Sequence, residues 1–335
     1  MKPCAIVILN FNGEKMLKTF FPSVFSRSTY DVLVIDNSSS DSSVDFLEKN
    51  YPKVRIIQLA ENFGYAGGYN WGLEELKDQY EYYILLNSDV EVTDGWDLNL
   101  ISWMGENPDY SAIQPKLLSW QDKSKFDYAG AGGGFLDSLG YPYCRGRIWD
   151  TIETDAGQYD DNTQVDWASG ACFVVNAQHF HQLGGFDAHY FAHMEEIDLC
   201  WRMRRSGWKI GYVGRVSVFH LGGATLDRSN PRKLHLNIRN SLYMLFKLES
   251  QAKFPVLFLS KAFIETAAAG FYLLTGKREL AKAVVEGYLD FIKTKSMIEK
   301  FTSSKSAVDS IPSQSKVRFV FWNYNFLGRK IYSDL

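Results

Sequence analysis

Asn87 and Asp89 stand two residues apart directly after the hydrophobic run 82–86 (YYILL). Alternate residues of an extended segment point to the same side, so an amide oxygen and a carboxylate can meet one ion there. Mg²⁺ and Mn²⁺ take few protein oxygens and complete their shells from phosphate and water. The pair is therefore a candidate divalent-metal site on a diphosphate, with an Asx turn closing a strand as the plainer alternative. Glu195, Glu196 and Asp198 open a predicted helix at about 195–206. The helix dipole favours carboxylates at that end in any case, yet one at a cleft edge can also remove a proton from a hydroxyl. His220 closes a strand-like run before Gly222 and Gly223 and is of the right type to complete an oxygen-ligand site.

Two more stretches carry groups suited to a nucleotide. In VIDNSSSDSS (34–43), Asp36 ends a hydrophobic run and offers a carboxylate to a ribose or base, while helix capping accounts for Asp41. In ENFGYAGGYNWGL (61–73), Gly64, Gly67 and Gly68 clear side chains from a helix start. That would admit a ligand close to the backbone, although close helix–sheet packing needs the same glycines.

These residues require elements that hold them together. Residues 4–9, 31–35, 54–59 and 82–86 read as buried strands, and helices are predicted near 14–26, 41–50 and 66–78. Strand and helix alternating at this rhythm imply an α/β fold with a mostly parallel sheet flanked by helices. Ligands in such sheets bind at the carboxyl ends of the strands, where Asn10, Asn12, Asp36, Asn62, Gly64, Asn87 and Asp89 all fall. Residues 120–165 are irregular and predict a loop or small hairpin over the site, with AGAGGG (129–134) a flexible turn. Residues 165–175 return to strand, and 209–219 hold two short strands. Beyond 231 the pattern is helical. The apolar segment 254–274 carries Lys261 and Glu265, charges that a membrane-spanning helix tolerates poorly. It reads as a helix lying on a membrane or packed on the body.

Composition narrows the class. With 46% hydrophobic and 22% charged residues in 335, the chain has a sizeable core and is not disordered. Residues 1–230 carry 19 Lys and Arg against 31 Asp and Glu, net −12, whereas 231–335 carry 17 against 8, net +9. The acidic body argues against a nucleic-acid surface, and the basic region suits peripheral contact with anionic lipid. Four cysteines without metal spacing suggest reduced thiols in the cytoplasm, and the start MKPCAIVILN has no signal-peptide cleavage site. The oligomeric state is left open, a homo-oligomer included.

Taken in order, these stretches resemble the family-2 glycosyltransferases with the GT-A (Rossmann-like) fold. Their nearest likeness is to the bacterial rhamnosyltransferase and galactofuranosyltransferase-like branch, across about 4–245. The resemblance implies a catalytic domain over 1–230, with the nucleotide-sugar part at about 1–95 and the acceptor part at about 96–230. A helical basic C-terminal region follows at 231–335. It places Asn10, Asn12, Asp36, Asn62, Gly64, Gly67, Gly68 and Asn87 on a nucleotide-diphosphate sugar. It implies a Mn²⁺ or Mg²⁺ cofactor on Asp89 and His220, and Glu196 or Glu195 as catalytic base. Trp167, Gly170 and Ala171 match the acceptor floor, and Asn240 the family's Arg-Asn helix near the acceptor. Asn87 stands where many members have the first Asp of DxD, and Glu196 where many have Asp. The implied activity is inverting transfer to a saccharide or lipid-linked acceptor in surface polysaccharide synthesis, at the inner face of the cell membrane. A non-catalytic binder on the same fold and a sugar-nucleotide pyrophosphorylase are the alternatives.

Overall fold

The computed structural model describes residues 1–222, 230–302, 314, 315 and 317–335. Gly223, expected to follow the site histidine, and part of the basic region at 303–313 lie outside them. The first half runs β1 (Lys2–Asn10), α1 (Glu14–Arg27), β2 (Asp31–Asp36), α2 (Ser43–Asn50), β3 (Arg55–Gln58), α3 (Gly64–Glu74), β4 (Tyr80–Asn87), β5 (Val90–Val92), α4 (Trp96–Glu106) and β6 (Tyr110–Ser119). There follow β7 (Gly134–Leu136), β8 (Pro142–Cys144), β9 (Arg147–Ile148), β10 (Thr151–Ile152), β11 (Asn162–Val165) and β12 (Cys172–Asn176). The chain continues through α5 (Ala177–Gln182), α6 (Glu195–Arg205), β13 (Lys209–His220), α7 (Pro231–Leu248), α8 (Lys253–Leu274), α9 (Arg278–Thr294) and α10 (Val320–Asn325).

The main sheet has the order β11-β13-β6-β12-β4-β1-β2-β3, with β5 paired to β13. Strands β4, β1, β2 and β3 are parallel, as the strand–helix rhythm demands. The other half is mixed: β12 runs antiparallel to both β4 and β6, and β13 runs parallel to β6. One face packs Ile6, Ile8 and Ile84 against α1 and α4, and the other packs Val7, Leu85 and Phe173 toward α3 and α5. Both faces are covered, which is why these strands read as continuous apolar runs.

Two expectations need correction. Residues 209–220 form one long strand, not two, with a register shift between Val213 and Ser217 against β6. Gly214 sits in that bulge, where a Cβ would lie 2.4 Å from the Tyr159 carbonyl oxygen. The AGAGGG stretch is packed and not a flexible turn. A Cβ on Gly134 would lie 2.1 Å from the Trp167 indole, and Gly130 and Gly133 adopt φ of 113° and 101°. Residues 134–152 form a separate four-stranded antiparallel sheet, β10-β9-β8-β7. At the C-terminal end, α7, α8 and α9 close on Tyr243, Phe246, Phe254, Phe258 and Phe291, with neighbouring ring centroids 5.3–6.0 Å apart.

Candidate active site

Antiparallel pairing of β13 with β5 sets His220 opposite Val90, next to Asp89. The Leu221 amide donates to the Asp89 carbonyl at 3.0 Å and fixes the approach. His220 Nε2 then lies 3.2 Å from Asp89 Oδ1 and 3.4 Å from Asn87 Nδ2, while Nδ1 lies 3.1 Å from Asp127 Oδ2. Asp89, Asp127 and His220 are all buried. Burial opposes a charge on His220, but Asp127 and Asp89 outweigh it and hold the imidazole's pKa up at about 10. Burial likewise works against the Asp89 carboxylate, yet His220 keeps its pKa below the usual value. An imidazole with a carboxylate behind its far nitrogen is the arrangement that orients metal-binding histidines. Among the described residues, no three His, Cys, Asp or Glu groups gather in a ready-made metal cage. Two protein ligands completed by phosphate and water are what the donor set fits. Asp127 was not singled out from the sequence, because it lies in an aperiodic loop. Its place is set by backbone pairing of Asp127 N with Leu117 O after β6.

The acidic pair is built on a different principle. Just before α6, Phe191, His193 and Met194 adopt φ of 62°, 71° and 73°, conformations costing about 1–3 kcal/mol each for non-glycine residues. The surroundings hold them. Asn240 Nδ2 donates to the carbonyls of Tyr190, Ala192 and His193 at 3.1, 3.0 and 2.7 Å. From the other side, the Tyr65 amide donates to Phe191 O at 2.8 Å. Gly64 is needed for this contact: its φ is +71°, and a Cβ there would lie 2.7 Å from the Phe191 ring.

Of the three first-turn carboxylates, Asp198 is structural. It accepts from Arg202 Nε at 2.8 Å and Tyr190 Oη at 3.1 Å and pairs with Lys247 at 3.1 Å. Glu195 and Glu196 differ: each has a buried Oε2 without a hydrogen-bond partner among the described residues. Burial pushes the Glu196 pKa up to about 7, against partial relief from its own N–H, that of Ile197 and that of Gly170. Burial, reinforced by the neighbouring Glu196 charge, holds Glu195 well above the usual glutamate range. Glu195 is buried while Glu196 is half-buried. A carboxylate near neutrality is both available and basic at working pH. The metal end and this pair are joined by a short piece of chain: Asn87 N donates to Ala171 O at 3.0 Å, and the preceding Gly170 lies on the Glu196 carboxylate.

At the carboxyl ends of β1 and β2, several expected ligand groups are engaged with one another. Asn10 Nδ2 donates to Asp36 Oδ1 at 2.9 Å, and Asp36 also accepts from Ser39 N and Oγ. Asn12, with φ of 48°, accepts from Ser40 N at 2.7 Å. Asn62 Oδ1 accepts from Asn37 Nδ2 and Gly64 N, both at 2.9 Å. The Asp36 carboxylate, expected on a ribose or base, ties the two loops together. The reason is burial, since a carboxylate out of water must be satisfied nearby. At Gly67 and Gly68 the close-packing alternative is visible. Cβ atoms there would meet Phe63 at 2.8 Å and Leu9 at 2.9 Å, so protein side chains fill that space.

The expected acceptor residues are engaged with the protein around them. Trp167 Nε1 donates to Phe135 O at 3.0 Å, Gly170 O accepts from Tyr65 Oη at 3.0 Å, and Ala171 is buried. Asn240 has its amide wholly engaged by the 190–193 loop, so it positions that loop. Sequence reasoning missed the exposed aromatics at the loop ends, Phe11 and Phe191. An aromatic directly after Asn10 was the available signal for Phe11.

Residues 5–180 match the model of glycosyl transferase family 2. An N-acetylglucosaminyl-diphospho-decaprenol L-rhamnosyltransferase of Mycobacterium tuberculosis is 28% identical over 231 residues, covering 64% of this chain and 75% of its own. The hexosyltransferase Agl10 of low-salt glycan biosynthesis in Haloferax volcanii is 25% identical over 70% of this chain and 73% of its own. The rhamnosyltransferase WbbL of Escherichia coli is 23% identical over 64% and 82%. Among solved structures, GalNAc-T7 with UDP, GalNAc and Mn²⁺ superposes with a TM-score of 0.57 at 15% identity, over 76% of this chain and 49% of that one. The Pyrobaculum calidifontis mannosyltransferase PcManGT with GDP-Man and Mn²⁺ gives 0.53 at 11% identity, over 87% and 88%.

Proposed function

The chain belongs to glycosyl transferase family 2, a glycosyltransferase of the rhamnosyltransferase-like kind in glycan biosynthesis, and from that premise we propose a metal-dependent inverting transfer. The donor is a nucleotide-diphosphate sugar, a nucleotide-linked rhamnose being the first to test. The acceptor is a saccharide carried on a lipid diphosphate, the class named for the mycobacterial relative. The observation that carries this reading is the junction of Asp89 and His220 with Glu196 through Gly170 and Ala171.

Asp89 and His220 would hold the divalent cation, with Asp127 fixing the imidazole from behind. The ion's contribution there is Lewis-acid stabilisation of the departing diphosphate. Glu196 takes the proton of the acceptor hydroxyl as its oxygen bonds to the anomeric carbon from the face opposite the diphosphate. The sugar–diphosphate bond breaks in the same displacement, so configuration inverts and the proton on Glu196 returns to water. The 190–194 loop, clamped by Asn240, keeps Glu196 beside Gly170. Residues 1–230 would carry out this chemistry, and 231–335 would support the loop.

The test is product analysis with nucleotide-linked sugars and a short polyprenyl-type acceptor, with Mn²⁺ and with EDTA. The expected products are free nucleoside diphosphate and a glycoside of inverted configuration, formed only with metal. Pyrophosphate release, or retained configuration, would overturn the reading.

A further inference from the structure

Helix α8 has two opposite faces of different kinds. One packs on the body through Leu257, Lys261 and Ala269, which are buried. Lys261 pairs with Glu265 at 3.1 Å and lies 3.5 Å from the Tyr141 ring centroid. Glu265 in turn accepts from Tyr141 Oη at 2.9 Å and Tyr288 Oη at 2.6 Å. The other face carries Val256, Leu259, Phe263, Phe271 and Leu274, each 60–89% exposed. On α9, Val285, Leu289 and Ile292 are exposed as well, and a shallow groove lined by Thr266, Ala269, Val285 and Leu289 joins the two helices. The result is one continuous apolar surface.

By length and composition Lys253–Leu274 is apolar enough to cross a membrane, but its packing opposes that. Insertion across a bilayer would draw Lys261 and Glu265 out of their tyrosine partners into hydrocarbon, where unscreened charges are costly. A helix docked on one face and bare on the other is suited to lying in the interface plane. The surrounding charge selects the occupant. Lys253 opens α8, Lys277 follows it, and Arg278 and Lys282 stand on α9, all exposed. Residues 253–300 hold eight basic and five acidic groups. Two copies meeting through this face would bring like-charged rims together, which disfavours association. Anionic headgroups would be attracted by the same rims.

We propose that α8 and the outer face of α9 form a lipid-docking surface that lies flat on an anionic membrane. Helix α7, which bears the Asn240 clamp, ends only a few residues before α8, so docking would hold the site at the membrane where a lipid-carried acceptor resides. The surface stands without the transferase reading, and its use in presenting the acceptor rests on it.

The experiment is flotation of the full chain with vesicles of phosphatidylcholine alone and of phosphatidylcholine with phosphatidylglycerol, beside light scattering without lipid. The chain should bind the anionic vesicles, and added salt should weaken binding. Leu259→Glu with Phe263→Glu should cut it about tenfold or more, since both apolar insertion and charge attraction suffer. Lys277→Glu with Arg278→Glu, at exposed positions where folding is not at stake, should cut it also. Both variants should keep donor binding and transfer to a short water-soluble acceptor, which separates failure here from failure of the transferase reading. No vesicle binding, or equal binding to neutral and anionic vesicles, would overturn the proposal. So would a stable dimer that the Leu259, Phe263 variant splits, because a second copy would then cover the face.

Discussion

The two ends of the candidate site are built in opposite ways. At the end with Asp89, Asn87, His220 and Asp127, the groups sit on or beside strands of the main sheet, and the histidine meets a carboxylate on each nitrogen. At the end with Glu195 and Glu196, the groups follow a left-handed segment, and each has a buried oxygen without a partner among the described residues. Rigid pairing suits ligands that must stay put, and a cation on Nε2 would displace the proton that His220 shares with Asp89. Burial without pairing suits an acid that must take up and release a proton near pH 7.

The sharpest way to break this contrast is Glu196→Gln. Transfer should fall by about 10²–10⁴-fold, the usual worth of a general base, while metal-dependent donor affinity by calorimetry stays unchanged. Full activity would remove Glu196 as the base. At the other end, Asp127→Asn should weaken Mn²⁺-dependent donor binding by about 10–100-fold, as loss of a carboxylate behind a ligating histidine does. The variant's unchanged affinity in EDTA would separate this from general damage.

The pH profile sharpens the comparison next. The Glu196 pKa is raised to about 7, and a base acts only when deprotonated. So kcat/KM should fall about tenfold per pH unit below 7 and level off above it. A profile flat from pH 5 to 8 would contradict the assignment. Stability should run the other way, because a carboxyl whose folded pKa is raised is favoured when protonated. Its stabilising effect is full below the ordinary glutamate value and is lost as pH rises through about 7. The melting-temperature gain of Glu196→Gln over the parent chain should therefore be larger at pH 8.5 than at pH 5.

Asn240→Ala should have the most modest effect. It removes the donor to the Ala192 and His193 carbonyls, while Tyr190 O keeps the Ala192 amide and Arg239; both carbonyls are only part-buried and can turn to water, so the loss should be about 1–3 kcal/mol in all. The variant should melt lower and lose kcat with little change in donor KM. A matching loss in donor KM would place Asn240 nearer the nucleotide than the loop contacts do.

Much of the fold was legible from local pattern. The runs at 4–9, 31–35 and 82–86 became β1, β2 and β4 because strands buried on both faces must be apolar throughout. The site motifs fell at the carboxyl ends of those strands as expected. The readings that changed were those in which a side chain's partner is distant in sequence. Gly68 reads as space for a ligand until Leu9 and Asn37 are placed beside it. Asp36 reads as free until Asn10 and Ser39 take its oxygens.

The sequence by itself determined the family, the α/β rhythm and the residue types of the site: Asn87 and Asp89 after a strand, two glutamates at a helix start, and His220 at a strand end. These signals are local, set by periodicity and by turn and cap chemistry. Only the tertiary structure decided which group does what. It put Asp127, 93 residues away, behind His220, set Asp198 between Arg202 and Lys247, and left half-buried Glu196 with one buried oxygen unpaired among the described residues. The physical reason is that a carboxylate's role follows from its solvation and its partners, and both are supplied by chain segments far away in sequence.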